Sequence, residues 1–337
     1  MQKSELIPLQ NNQLLIAKAI NDATKVIETS ISPNSKRALE GDLRYWAGWQ
    51  KANGLSNDMI TKDHIILFIM QHANEMPTSV EQALIEMKVK AKAGLHKIST
   101  IERRITSLST FLNLRKLPNP CQDKDVLMLL RKLTEKFGCS KSWGKAMTLD
   151  ILNQLLSTCE NTLLGVRDRA LLLFGFATGG RRRSEISSSV FENLTRNPEG
   201  NFVYNLGKSK TNQTGAPDPK PLAGRAALAL MHWMEVSNLK EGPIFRGVRK
   251  DGKTIYNTPL TDRQISRIIK QRCVLAGLDP TEYTAHSLRS GFVTECGKRG
   301  KPIGDVMAMT GHRSFAQVTQ YYKPGDIMNN SAAYLSG

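Results

Sequence analysis

The chain reads as a succession of helix-period patterns broken by two polar, turn-rich stretches. Apolar residues recur at three- and four-residue steps in LLIAKAINDATKVI, close to the start. They recur again after Ser32–Pro33, where Leu39, Leu43 and Trp46 share one face. A serine ahead of a proline at a first turn is a helix-start signal. The same period returns in ITKDHIILFIMQHA, SVEQALIEMKVKAK, STIERRITSLSTFLNL and KDVLMLLRKLTEKF. Residues 32–137 are therefore expected to form an all-helical domain, preceded by a helix or extension at 1–31. GCSKSWGK, residues 138–145, is polar, basic and bracketed by glycines, as a linker should be.

From residue 146 the pattern becomes mixed. Thr148 stands where a helix cap belongs, and RDRALLLFGFA is a strongly apolar helix. NPEGN (197–201) is a turn cluster, FVYNL after it alternates like a strand, and TNQTGAPDPKP is a second turn-rich stretch. Helices resume at GRAALALMHWMEV and TDRQISRIIKQRCVLAG, where Thr261 and Gln264 have the spacing of a capping box. The second domain is assigned to 146–326, with a tail at 327–337.

Charge narrows the partner class. Lys and Arg number 47 against 30 acidic residues, a net charge of +17. Such an excess points to a polyanion, although charge alone does not separate DNA from RNA or an anionic membrane surface. Only 6% of residues are aromatic, which argues against a base-stacking single-strand platform. No apolar run approaches the ~18–20 residues of a transmembrane helix, and MQKSELIPLQNNQLL lacks an apolar signal core. Five dispersed cysteines without a CxxC pair indicate neither a zinc site nor a disulfide framework, and a reducing cytoplasm is the expected setting. The GKS at 207–209 is no phosphate-binding loop, because Phe202 stands where that motif needs glycine.

Three clusters remain. Gly179-Gly180-Arg181-Arg182-Arg183-Ser184-Glu185 follows the apolar helix. Three arginines in a row are ordinarily a solvated face, but here they begin a helix just after a buried one, with a carboxylate in reach of a guanidinium. His286 and Arg289, three apart in TAHSLR, share a helix face, a pairing that is weak by itself. Finally MTGHRS gives a loop glycine and His312, with Tyr321 nine positions on. A Tyr-Tyr pair is ordinarily packing.

Together and in this order, the three clusters resemble the tyrosine recombinase (phage integrase) family, whose signature is an arginine box ending in Ser-Glu, a hairpin lysine, HxxR, GH and a tyrosine nine residues later. GPIFR, TDRQISRIIK and HSLRSGFVT are similar to that family as well, so the resemblance spans the second domain. SPNSKRALEGDLRYWAGW, ISTIERRITSLSTFLN and LPNPCQDKDVLMLLRKL resemble its helical core-binding domain more loosely. The implied fold is mainly α with a small antiparallel β-sheet, a helical core-binding domain followed by an α+β catalytic domain.

The resemblance also implies a chemistry. Tyr321 is the nucleophile, Arg182 and Arg289 grip the phosphate, and Glu185 orients Arg182 or His286. Lys210 protonates the leaving 5′-oxygen, His286 moves the tyrosine proton, and His312 donates to a phosphate oxygen. Neither metal nor nucleotide is implied, because the phosphotyrosine conserves the ester's energy. The partner is double-stranded DNA with inverted-repeat half-sites, bound by a homotetramer that is a monomer or dimer when free, and the protein is expected to be cytoplasmic and nucleoid-associated, bacterial or phage- or plasmid-borne. Lys36, Arg37, Arg44, Arg103 and Arg104 are candidate DNA contacts of the first domain, although such residues are ordinarily just solvated. Type IB topoisomerases and telomere-resolving enzymes share the chemistry, and a non-catalytic DNA-binding relative is a third reading. The compact family boxes argue against the former, and retention of every reactive residue against the latter.

Overall fold

The computed structural model describes residues 33–55, 59–137, 144–207, 212 and 215–326, and the chain divides into two compact units, Met1–Lys141 and Ser142–Gly337. The leading segment 1–31, Ser32, the tail 327–337 and Lys210 lie outside the described residues.

The described part of the first unit is helical: α1 (Pro33–Ala52), α2 (Lys62–Ala73), α3 (Thr78–Glu86), α4 (Ile98–Leu114) and α5 (Lys124–Phe137). Their apolar faces converge on Trp46, Trp49, Phe68, Ile69, Leu84, Ile101, Leu108 and Val126. The expected helix over 79–92 is shorter than its apolar period predicts. It stops at Glu86, Lys88 takes a positive φ of 57°, and Lys90 turns inward to pair with Glu81. A buried ion pair across the turn outweighs continuation of the helical period. Inside the bundle Tyr45 Oη sits 2.7 Å from His72 Nε2 and 3.0 Å from His96 Nε2, while His72 Nδ1 lies 2.6 Å from Phe68 O. Because a carbonyl only accepts, His72 donates from Nδ1, accepts the Tyr45 proton at Nε2, and Tyr45 accepts from His96.

In the second unit α6 (Leu149–Ser157) begins at Thr148, which occupies the cap position without a side-chain hydrogen bond. The next helix, α7 (Leu163–Ala177), is buried along nearly its whole length and forms the axis of the core. Asp168 on it is bracketed by Arg167 and Arg272, the latter at 2.9 and 2.7 Å, so this buried carboxylate is fully engaged. After the short α8 (Arg183–Ser187) come β1 (Leu194–Arg196), β2 (Phe202–Asn205) and β3 (Pro219–Leu222), an antiparallel sheet in the order β1-β2-β3. Two prolines fit β3 because it is an edge strand. Then follow α9 (Arg225–Ser237), the pair β4 (Arg246–Val248) and β5 (Ile255–Pro259), and α10 (Asp262–Leu275), whose Thr261–Gln264 capping box is formed. The β4–β5 ribbon was not anticipated. Last come α11 (Ala285–Lys298), α12 (Ile303–Thr310) and α13 (Phe315–Asp326). Among the described residues no helix is long and apolar enough to cross a membrane.

Candidate active site

Four segments far apart in sequence meet at one place. The turn after α7 carries Gly179 and Gly180, both at positive φ. A Cβ on Gly180 would lie 2.1 Å from the Cα of Arg289, and one on Gly179 would lie 2.2 Å from Met309 O. Only glycine permits so close an approach with that backbone geometry. The turn is thereby seated against α11 and against the end of α12.

Arg182 follows as the cap residue of α8. The Glu185 carboxylate accepts from its backbone N–H at 3.0 Å and from its guanidinium at 2.6 Å. Arg182 keeps 29% of its side chain exposed, so its fork remains open to a ligand. α11 starts with Thr284 accepting from the His286 backbone N–H at 3.1 Å, and Thr284's own N–H is held by Ser287. That cap places His286 at the surface and Arg289, one turn on, in the interior with 2% exposure. Arg289 Nη2 is buried without a hydrogen-bond partner.

α12 ends at Gly311, whose left-handed conformation directs the chain into His312. Thr310 Oγ1 donates to Val306 O at 2.7 Å and therefore accepts from His312 Nδ1, 2.7 Å away. This assigns the proton to Nδ1 and leaves Nε2 to accept from Arg289 Nε at 3.3 Å. A small apolar cluster of Val293, Val306 and Val318 holds α13 against α11 and α12. Thr294 Oγ1 donates to Tyr321 O at 3.0 Å. Tyr321 Oη then lies 3.1 Å from His286 Nε2, whereas Tyr322 Oη donates to Lys301 O at 2.6 Å. Of the adjacent tyrosines, Tyr321 faces the histidine–arginine cluster.

Electrostatics follow from these positions. Burial first, then the charges of Arg182 and Arg181, pull Arg289 down to about 9, which leaves it charged at neutral pH. Burial, then the charges of Arg289 and Arg182, push His312 down to about 4. Partial desolvation, Arg289 and Arg182 lower His286 too, so both histidines are neutral near pH 7. Burial raises Tyr321 to about 12, so its hydroxyl keeps its proton at neutral pH. The site is a neutral base against a protonated tyrosine, beside under-compensated cations.

Residues 145–326 match the model of the phage integrase family, more than half of the chain. The chain belongs to that family. It is a site-specific tyrosine recombinase/integrase, a DNA strand-transferring enzyme. It is 28% identical over 336 residues to an integrase/recombinase xerD homolog of Selenomonas ruminantium, covering 96% of this chain and 90% of that protein. It is 21% identical over 310 residues to the recombinase cre of Escherichia phage P1, with 87% and 85% covered. In fold it is similar to the Tn1549 transposon integrase solved with transposon right end DNA, at a TM-score of 0.57 and 15% identity, over 95% of this chain and 99% of that one.

Of the residues singled out in the sequence, Arg182, Glu185, His286, Arg289, His312 and Tyr321 are brought together. In the first unit Lys36, Arg37, Arg44 and Arg103 are exposed, Arg103 pairing with Asp42. Arg104 differs. Only 12% of its side chain is exposed, and its guanidinium lies 3.1 Å from the centroid of the Tyr45 ring. Inward packing accounts for Arg104 in place of an outward DNA contact. Sequence reasoning missed Thr310, the acceptor that fixes the His312 tautomer, although it adjoins the Gly-His pair. It also missed Lys220 on β3, and it did not foresee that Arg181, named within the arginine run, is buried behind Arg182. The alternation that places Lys220 in phase with buried Leu222 was the available signal.

Proposed function

We propose that this recombinase cuts and rejoins duplex DNA through Tyr321, with Arg182, Arg289 and His312 holding the scissile phosphate. The observation that carries the reading is the 3.1 Å contact of Tyr321 Oη with His286 Nε2, beside the buried Arg289–His312 pair. His286, neutral, accepts the tyrosine proton as Oη attacks phosphorus. The P–O5′ bond breaks, the phosphate stays on Tyr321 as a 3′-phosphotyrosine, and the departing 5′-oxygen takes a proton from Lys210. The 5′-hydroxyl of another strand reverses the step, and His286 returns the proton. Arg289 Nη2 finds in the phosphate the acceptor it otherwise lacks. The same anion raises the pKa of His312, whose ring then gains a proton at Nε2, gives up its acceptance from Arg289 Nε and donates to the phosphate. Glu185 keeps Arg182 in orientation.

The structural relatives solved on DNA and the charge of +17 support duplex DNA as partner. Four copies on two sites, each site a pair of inverted half-sites, complete strand exchange. Lys36, Arg37, Arg44 and Arg103 contact the backbone from the first unit. Trapping on nicked duplexes tests the assignment: Tyr321→Phe binds DNA and forms no covalent adduct, and Tyr322→Phe still forms it. Adducts that vanish only with Tyr322→Phe would overturn it. A substrate with sulfur at the bridging 5′ position separates the acid from the clamp. It restores Lys210→Ala but not Arg289→Ala, because a sulfur leaving group needs no proton. Equal rescue of both would remove Lys210 from its role.

A further inference from the structure

Two buried cations outside the set just assigned meet the last turn of α12. Arg181 has 1% of its side chain exposed and donates from Nη2 to Met309 O at 2.6 Å. Lys220, on β3 and 2% exposed, donates to the preceding carbonyl, Ala308 O, and to the Asp218 carboxylate. One residue earlier again, Met307 O accepts from the Gly311 backbone N–H at 2.7 Å. The carbonyls at a helix C-terminus have no intrahelical donor and carry the negative end of the helix dipole. Here three in succession are each met by a donor, and two of those donors are buried charges.

Helix stability alone is a poor account of that arrangement. Burying a lysine and an arginine carries a desolvation penalty that pairing seldom fully repays, and neutral donors cap helices well. Arg181 Nε is even left buried without a partner. What the two cations do secure is the height and angle of the next three residues. Thr310 bonds back into the same turn, Gly311 reverses the chain, and His312 meets Arg289. Arg181 also lies in ion-pair range of Glu185, at 3.8 Å, so the clamp on α12 and the carboxylate that holds Arg182 belong to one network.

We infer that Arg181 and Lys220 are positioning residues for strand transfer: they pin the α12 C-terminus so that His312 meets Arg289 and the phosphate. The inference rests on the reading that His312 and Arg289 hold the scissile phosphate. A shift of about 1 Å at a reacting group can lower a rate about 100-fold. Loss of either cation therefore acts on cleavage and not on DNA affinity.

The experiment uses the full chain. Wild-type protein first selects its duplex from a library of nicked duplexes with randomised cores, recovered as covalent adducts. Arg181→Leu and Lys220→Met are then compared with wild type on that duplex. Each is expected to cleave about 10- to 100-fold more slowly at saturating DNA, with half-saturation moved less than about twofold. In a His312→Ala background the same substitutions should add no further loss, a result that a general weakening of the fold does not produce. Arg181→Lys, which keeps the charge and loses the reach, serves where Arg181→Leu does not fold and should lose the same rate. In the DNA-free protein the ring nitrogen signals of His312 should lose their Nδ1–H signature in each variant. Unchanged cleavage, or an undiminished loss on His312→Ala, would overturn the inference while leaving the Tyr321 reading intact. Failure of wild type to yield any adduct would overturn that reading and the inference with it.

Discussion

Both units bury an arginine against a histidine-rich neighbourhood, and the comparison separates scaffold from machinery. Arg104 lies over the Tyr45 ring with Asp42 at 3.9 Å, so an aromatic face and a carboxylate offset its charge, although its Nε and Nη1 are buried without hydrogen-bond partners. Arg289 has Arg181 and Arg182 for neighbours, and the carboxylate that offsets its own charge is Glu185. The histidines follow suit. His72 is pushed down to about 3 mainly by burial in a hydrogen-bonded chain that is already complete. His312 is pushed down to about 4 by burial with arginine charges, and its partner Arg289 keeps a buried nitrogen unmatched. One cation is offset in charge by an aromatic face and a carboxylate. The other is crowded by like charges, and an anion would relieve it.

The comparison breaks most visibly on paired substitutions. Arg289→Met should slow cleavage by about 100- to 1,000-fold, since one preorganised donor is lost, while thermal stability holds or rises because an uncompensated cation is gone. Arg104→Met should do the reverse: about 1–2 kcal/mol of stability lost with the cation–π contact, and cleavage at saturating DNA unchanged. Denaturation curves and adduct yields on the same preparations decide it. Destabilisation by Arg289→Met would mean that the site is already compensated without DNA.

Glycines offer a second contrast. Gly180→Ala places a methyl into the backbone of Arg289 and should abolish cleavage and lower stability together. Gly41, exposed in α1 with open space around it, should gain about 0.5–1 kcal/mol on replacement by alanine, with activity retained. An active Gly180→Ala protein would show that the turn can withdraw from α11 without harm.

The smallest expected effect is one of pH. His72 and His96, the latter pushed down to about 4, stay neutral when folded but bind protons near pH 6.5 when unfolded. Between those values the unfolded state holds more protons, so their contribution is complete above about pH 6.5 and is lost as pH falls toward 4 and then 3. Hydrogen exchange in α1 and α4, corrected for intrinsic rates, should show protection declining from pH 7 to pH 4.5. Constant protection across that range would contradict the neutral hydrogen-bonded chain.

The helices were legible wherever one face is apolar, because periodicity records which side meets a core; α1, α2, α4 and α10 follow it closely. The site was legible through a resemblance carried by HxxR, GH and the spacing to Tyr321. What stayed hidden were charged residues that fold inward. A run of three arginines does not announce that Arg181 is buried and Arg182 is open, since that depends on a glycine pair closing against α11 and α12. Lys90 and Arg104 are similar cases: tertiary pairing with Glu81 and Tyr45 overrides the default of solvation. The short β4–β5 ribbon escaped because it lacks sustained alternation.

The meeting of residues 179–180, 289 and 309 has a consequence for the life of the protein before it reaches its target. During synthesis the helices of the first unit precede those of the second. Tyr321, His286 and the Met309 carbonyl that the glycine turn abuts follow later in the chain, and they come into register when that turn has closed on both helices. On the function proposed above, a chain whose turn has not closed has no assembled site with which to nick DNA, and the glycine pair is the latch of that site.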